Sequence, residues 1–210
     1  MPRTDCALAT KSPPALDPGC LPLPPLPALA RGRKNMCPQT LLVSFDPGCT
    51  NLAVVVARMD GGIKAGVDLL MQKVYNPSTK THSPDISLLS EMMDEIDEFV
   101  GHFNDGVPVL WVIEYQPPLN TCSNPGLVRK NTWVEAFLVT WCWNRKKDWK
   151  LVASSAVKKK FKFPRAERGS QYDSNKRFSV EAARKICPEL RHSDHLADCV
   201  LNAVYAKSRM

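Results

Sequence analysis

The side chains best suited to chemistry in this sequence are carboxylates that stand at the ends of apolar segments. Asp46 closes the first such segment and Glu114 closes the fourth. Three further groups open the last helical pattern, namely Asp194, His195 and Asp198. A carboxylate is costly to desolvate unless a cation pairs with it, so these positions predict a divalent-metal site. Hard oxygen ligands suit Mg²⁺ or Mn²⁺, and two ions about 4 Å apart would activate water for phosphodiester hydrolysis.

Each of these acids also has a structural explanation. Asp46 precedes Pro47-Gly48 and is then a turn former, while Glu114 is then a residue at a sheet edge. Asp194 and Asp198 are then part of a solvated helix face. The spacings i to i+3 and i to i+4 bring both His195 and Asp194 near Asp198. Either residue is therefore a candidate for the last ligand of the metal site.

A basic segment is the second feature with chemical potential. Residues 145–168 hold ten Lys and Arg side chains against two acids, interleaved with Trp149, Phe161 and Phe163. This composition is typical of a surface that contacts nucleic-acid phosphates, although a merely solvated face has the same composition. The predicted DNA contacts are Lys158, Lys159, Lys160, Lys162, Arg165 and Arg168.

The elements that must carry these groups follow from the periodicity of apolar residues. Strands are predicted over 41–45, 51–59, 66–75, 107–115 and 149–153. Helices are predicted over 85–103, 127–144, 174–186 and 193–206. The order predicts an α/β fold with a mixed sheet, in which the first three strands form a meander and helical crossovers join the later ones.

The chain of 210 residues is long enough for one globular domain, expected over residues 41–210. Nine of its 18 prolines lie in residues 1–40, which have neither a strand period nor a helix period. We expect a disordered tail there. The tail is then either a ligand for a proline-binding partner or a dispensable extension, and Met36 is a plausible alternative start.

Several classes of protein are excluded by what the sequence lacks. No apolar run approaches the ~18 residues that cross a bilayer, which excludes an integral membrane protein. There is no P-loop, no dinucleotide-binding glycine motif, no HExxH and no GxSxG. The eight cysteines include no CxxC pair, and no signal-peptide pattern opens the chain, so we expect reduced thiols in a soluble intracellular protein.

The motifs, in their order and spacing, resemble the RuvC-type Holliday junction resolvases, most closely the branch found in poxviruses and other large DNA viruses. The resemblance rests on residues 44–53, 112–116 and 193–199, and it spans roughly residues 41–206. It implies an RNase H-like fold with a mixed five-stranded sheet flanked by helices. It also implies a homodimer that cuts four-way DNA junctions with Mg²⁺, in DNA recombination and repair, in the host cytoplasm or nucleus if the protein is viral.

Carried over residue by residue, the resemblance makes Asp46 the metal aspartate of the first strand and Glu114 the glutamate of the fourth. Asp198 matches the last acid of the terminal helix. Three positions earlier the family usually has an aspartate, whereas this chain has His195, preceded by Asp194. Some bacterial members carry histidine there, so the departure does not by itself imply inactivity. It leaves open whether His195 or Asp194 completes the site, and the family alignment favours His195 as the fourth ligand. Histidine would suit Mn²⁺ somewhat better than an all-oxygen set.

Two other functions remain open at this point. The chain could be a different RNase H-like nuclease that acts on RNA/DNA hybrids or on flaps. It could also be a catalytically silent protein that keeps the fold and the basic face and binds junctions without cutting them.

Overall fold

The computed structural model describes residues 39–60, 66–78, 83–118, 125–165 and 170–210. The tail predicted for residues 1–40, with its possible proline-binding partner, falls outside the described residues except at its last two positions. Arg168, one of the predicted DNA contacts, falls outside them as well.

Five strands and five helices follow one another in the described residues. They are β1 (Thr40–Asp46), β2 (Leu52–Met59), β3 (Val67–Tyr75), α1 (Ile86–Phe103), β4 (Val109–Tyr115), α2 (Pro125–Asn144), β5 (Trp149–Ala153), α3 (Ser154–Lys160), α4 (Gln171–Ile186) and α5 (Asp194–Lys207). Each predicted strand and helix is present, with bounds that differ by three residues or fewer. Sequence patterns miss α3, since this helix has seven residues and buries only Val157.

The sheet has five strands in the order β3-β2-β1-β4-β5. β1 to β3 form the antiparallel meander, while β1 pairs with β4, and β4 with β5, in parallel. This confirms the predicted mixed five-stranded sheet. Because neighbouring parallel strands end at the same edge, the register Phe45↔Ile113 brings the next residues, Asp46 and Glu114, to adjacent positions.

The two faces of the sheet bury two separate cores. Odd-numbered residues of β1 and β4, such as Phe45 and Ile113, pack in a cluster that also contains residues of α1 and α2. Even-numbered residues such as Leu42 and Val112 pack in a second cluster with residues of α4 and α5. Side chains alternate along a strand, so Asp46 and Glu114 share the α5 side of the sheet.

None of the described helices combines the length and apolarity that a bilayer crossing requires. The described cysteines are buried free thiols, namely Cys49, Cys142, Cys187 and Cys199.

Candidate active site

The last helix brings its own polar residues to the edge where β1 and β4 end. Ser193 caps α5, and its hydroxyl accepts a hydrogen bond from the amide of Leu196 at 3.4 Å. With Ser193 as the cap, the helix begins at Asp194, so His195 lies in the first turn and Asp198 one turn later. The side chain of His195 reaches β1, where its Nδ1 lies 2.7 Å from Oδ2 of Asp46.

Glu114 lies at the centre of the acidic group. Burial raises its pKa to about 8, and the charges of Asp46 and Asp198 add to this effect. Nδ2 of Asn202, a residue only 2% exposed, donates a hydrogen bond to Oε2 of Glu114 at 2.9 Å. The charge of Lys158 only partly offsets the two neighbouring acids, so ionised Glu114 is stable here only if further positive charge is present.

Asp198 shares this environment. Burial raises its pKa to about 6, and the charge of Asp46 contributes in the same direction. A hydrogen bond with the buried Ser179 of α4 partly opposes the shift. Three carboxylates from β1, β4 and α5 therefore interact within one small, largely buried region.

His195 and Asp194 occupy different surroundings although they are adjacent in sequence. The hydrogen bond with Asp46 raises the pKa of His195, and so favours its cationic form. Asp194 instead forms an ion pair with Lys176 of α4, with 2.5 Å between Nζ and Oδ2. Burial alone would raise the pKa of Asp194, but Lys176 and His195 outweigh it and lower that pKa.

The structure thus brings Asp46, Glu114, His195 and Asp198 together, and it directs Asp194 towards Lys176. Within the described ranges, no three His, Cys, Asp or Glu side chains converge closely enough to hold a metal ion as they stand. One oxygen of Asp46 is taken by His195, and one oxygen of Glu114 by Asn202. The three carboxylates and the imidazole fit Mg²⁺ or Mn²⁺ in donor type and charge, but binding requires some of these side chains to rearrange.

The basic residues predicted to contact DNA follow β5 directly. Since β5 is parallel to β4, α3 starts at the same edge of the sheet as the acids. Lys158 is close enough that its charge opposes the raised pKa values of Glu114 and Asp198. Lys158 is exposed, like the other described members of the set, namely Lys159, Lys160, Lys162 and Arg165. Lys158 is therefore the basic residue of this set that links the two predicted features.

Sequence reasoning missed three residues that contact the acids: Asn202, Ser179 and Lys176. Asn202 could have been identified from the sequence, because it is a polar residue within the apolar stripe of α5 and lies four positions after Asp198. Ser179 and Lys176 could not have been identified in this way, since their contacts depend on how α4 packs against α5.

Comparison with known proteins shows a likeness in structure rather than in sequence. No protein-family model matches the chain, and no curated protein matches its sequence. Thermus thermophilus RuvC in complex with a Holliday junction substrate matches with a TM-score of 0.58 and 17% identity, over 80% of this chain and 94% of that chain. A second structure of Thermus thermophilus RuvC matches with a TM-score of 0.59 and 19% identity, over 80% and 96%.

A viral protein is also matched, but less well. Fowlpox virus resolvase with its substrate Holliday junction DNA gives a TM-score of 0.47 and 13% identity, over 80% of this chain and 99% of that chain. A match at that level carries no argument for a viral branch. The two RuvC matches show that this chain has the RNase H-like fold of the RuvC resolvases, with a mixed five-stranded sheet between helices.

Proposed function

We propose that this protein is a metal-dependent endonuclease that resolves four-way DNA junctions by cutting two opposed strands symmetrically. The observation that carries the proposal is the meeting of Asp46, Glu114 and Asp198, from three elements, at one edge of a RuvC-like sheet. The Thermus thermophilus RuvC that shares the fold was solved with a Holliday junction substrate. Mutually repelling, buried acids in such a place are typical of functional sites.

Each residue has a distinct part in this proposal. Asp46, Glu114 and Asp198 would hold Mg²⁺ or Mn²⁺, with His195 as a further ligand once it leaves Asp46. The bound ions would activate water and stabilise the leaving oxygen of the phosphodiester. Asn202 orients Glu114 through its hydrogen bond. Lys158 supplies a positive charge beside the acids, where it can bind a phosphate of the DNA strand.

The proposal includes a homodimer. Two symmetric nicks need two sites, and the described chain contains one such group of acids. The exposed side chains of Trp133 and Trp143 on α2, 41% and 73% exposed, supply apolar surface of the kind that a second copy could cover. A viral origin, and with it a host-cell compartment, is supported only by the three sequence motifs.

One observation favours a second candidate, the catalytically silent junction-binding protein. His195 closes onto Asp46, and the described His, Cys, Asp and Glu side chains hold no preformed three-ligand metal site. A protein in which this hydrogen bond never opens would keep the fold and the basic surface without cutting.

The two candidates differ in a cleavage assay with matched substrates. Four-way junction, linear duplex and RNA/DNA hybrid of the same sequence are incubated with the protein and Mg²⁺, Mn²⁺ or EDTA. Paired nicks at symmetric positions, on the junction alone and only with a metal, support the resolvase. Tight junction binding without cleavage in either metal supports the silent protein. Cleavage of the hybrid alone would overturn both.

A further inference from the structure

The helix α2 contacts the two acid-bearing strand ends from behind the sheet. Oδ1 of Asn131 accepts a hydrogen bond from the amide of Cys49 at 3.0 Å. One turn later, Oε2 of Glu135 accepts a hydrogen bond from the amide of Gln116 at 2.8 Å. Residues four apart lie on one face of a helix, so a single face of α2 holds both segments.

These two amides directly follow the acids of the candidate site. Cys49 comes three residues after Asp46, and Gln116 two residues after Glu114. Both lie beyond the last paired residues of their strands, since the ladders of β1 and β4 end at Asp46 and Tyr115. The strand ladders therefore offer them no partner, and the side chains of α2 supply one.

The two segments and the helix face are each held firmly. The turn after Asp46 is tight, because a Cβ added to Gly48 would lie 2.5 Å from the carbonyl oxygen of Asn51. Glu135 is only 8% exposed, and its neighbours Val134 and Leu138 are fully buried in the core under β1 and β4. A carboxylate at this depth is retained only if its oxygens have partners, and the amide of Gln116 is one.

We propose that Asn131 and Glu135 are positioning residues, which hold the chain after Asp46 and after Glu114 at a fixed separation. They act from the face of the sheet opposite to the acids, so they touch neither the metal ion nor the DNA. Their effect is to set the distance between two carboxylates that must close on one cation. The inference rests on the proposed function, because it is the ion that requires this distance.

The test uses four variants. Glu135→Leu and Asn131→Leu remove the acceptors, and Glu135→Gln keeps an oxygen in the same place. Leu138→Ala is the matched control, because it lies on the same helix, is fully buried and makes neither hydrogen bond. For each folded variant, three quantities are measured: thermal midpoint, Mn²⁺ affinity by calorimetry without DNA, and kcat and KM on a four-way junction.

We expect Glu135→Leu and Asn131→Leu to weaken Mn²⁺ binding and to lower kcat about 10-fold to 100-fold, the scale seen when partners of metal ligands are removed. KM for the junction should stay within about twofold, and Glu135→Gln should restore both values. Leu138→Ala should lower the thermal midpoint at least as much without changing Mn²⁺ affinity. If Glu135→Leu does not fold, Asn131→Leu and Glu135→Gln still test whether the two hydrogen bonds position the acids.

Other outcomes overturn the inference in distinguishable ways. Leucine variants that bind Mn²⁺ and cut junctions like the wild type would remove the positioning role and leave the proposed function intact. An equal loss of Mn²⁺ affinity in Leu138→Ala would show a general effect of stability. A wild type that neither binds Mn²⁺ nor cuts overturns the proposed function, and the positioning role with it.

Discussion

At the scale of single residues, His195 and Asp194 show how adjacent side chains can have separate roles. His195 contacts Asp46, whereas Asp194 forms a partly exposed ion pair with Lys176. We expect His195→Ala to impair metal-dependent cleavage more than Asp194→Ala does, and His195→Asp to remain active with Mg²⁺. Loss of a partly exposed ion pair costs only about 1 kcal/mol or less, so Asp194→Ala should remain folded and active.

Single-turnover cleavage of a labelled junction by the three variants measures this difference. The opposite pattern, an inactive Asp194→Ala and a normal His195→Ala, would assign the fourth ligand to Asp194. That result would also mean that the Lys176 ion pair opens when metal binds.

A second prediction at this scale concerns the stability of the metal-free protein. Burial raises the pKa of Glu114 from 4.5 to about 8, so the folded state favours its protonated form. Between pH 4.5 and about pH 8 the folded protein binds more protons than the unfolded one, so its stability falls as pH rises through this range. One pKa unit corresponds to about 1.4 kcal/mol, so the loss from pH 5.5 to pH 8 is on the order of 2–3 kcal/mol.

Urea unfolding in EDTA at the two pH values measures this loss. Glu114→Gln cannot ionise, so it should lose less stability than the wild type and be the more stable protein at pH 8. Glu91→Gln, at an exposed position on α1, is the control and should follow the wild type. Parallel curves for wild type and Glu114→Gln would mean that Glu114 is not buried among acids.

At the scale of elements, α3 joins the basic segment to the acids. Lys158, Lys159 and Lys160 are exposed residues of this helix, and the charge of Lys158 acts on Glu114 and Asp198. We expect Lys158→Ala to lower kcat about tenfold or more, and Lys159→Ala with Lys160→Ala to weaken binding instead. Each lost phosphate contact should flatten the dependence of log affinity on log salt by ~0.9.

Junction affinity at several salt concentrations, together with single-turnover rates, separates these effects. A variant with Lys158, Lys159 and Lys160 all replaced by Ala should bind every DNA shape more weakly and show a smaller salt slope. An unchanged slope would locate the phosphate contacts on another surface, for example around Arg129, Lys130, Lys176 and Arg177.

The elements also show what the sequence could and could not predict. Strands β1 and β4 are apolar runs that end in an acid and a breaker, and local pattern alone is enough to predict them and the position of Asp46 and Glu114. The predicted start at Val107 is two residues early, since Pro108 has no N–H to donate to a ladder and β4 begins at Val109. Asn202, Asn131 and Glu135 form hydrogen bonds with residues of elements distant in the sequence. No local sequence pattern predicts such contacts.

At the scale of the whole molecule, we predict that the proline-rich residues 1–35 are dispensable. They have no apolar period that would dock them on a core, and proline supplies no N–H for a sheet. A chain that starts at Met36 should keep the thermal midpoint and the junction cleavage rate of the full chain. A large drop in either value would show that the tail packs or binds.

The central claim is that two copies of this chain cut one junction symmetrically with a metal held by the acids of β1, β4 and α5. Cleavage of a supercoiled plasmid that extrudes a cruciform tests it most directly, because two nicks within one complex give linear DNA and single nicks give open circles. We predict linear product with Mg²⁺ for the wild type and none for Asp46→Asn, which should still bind the junction. Open circles alone, no product with Mg²⁺ or Mn²⁺, or full activity of Asp46→Asn would contradict the claim.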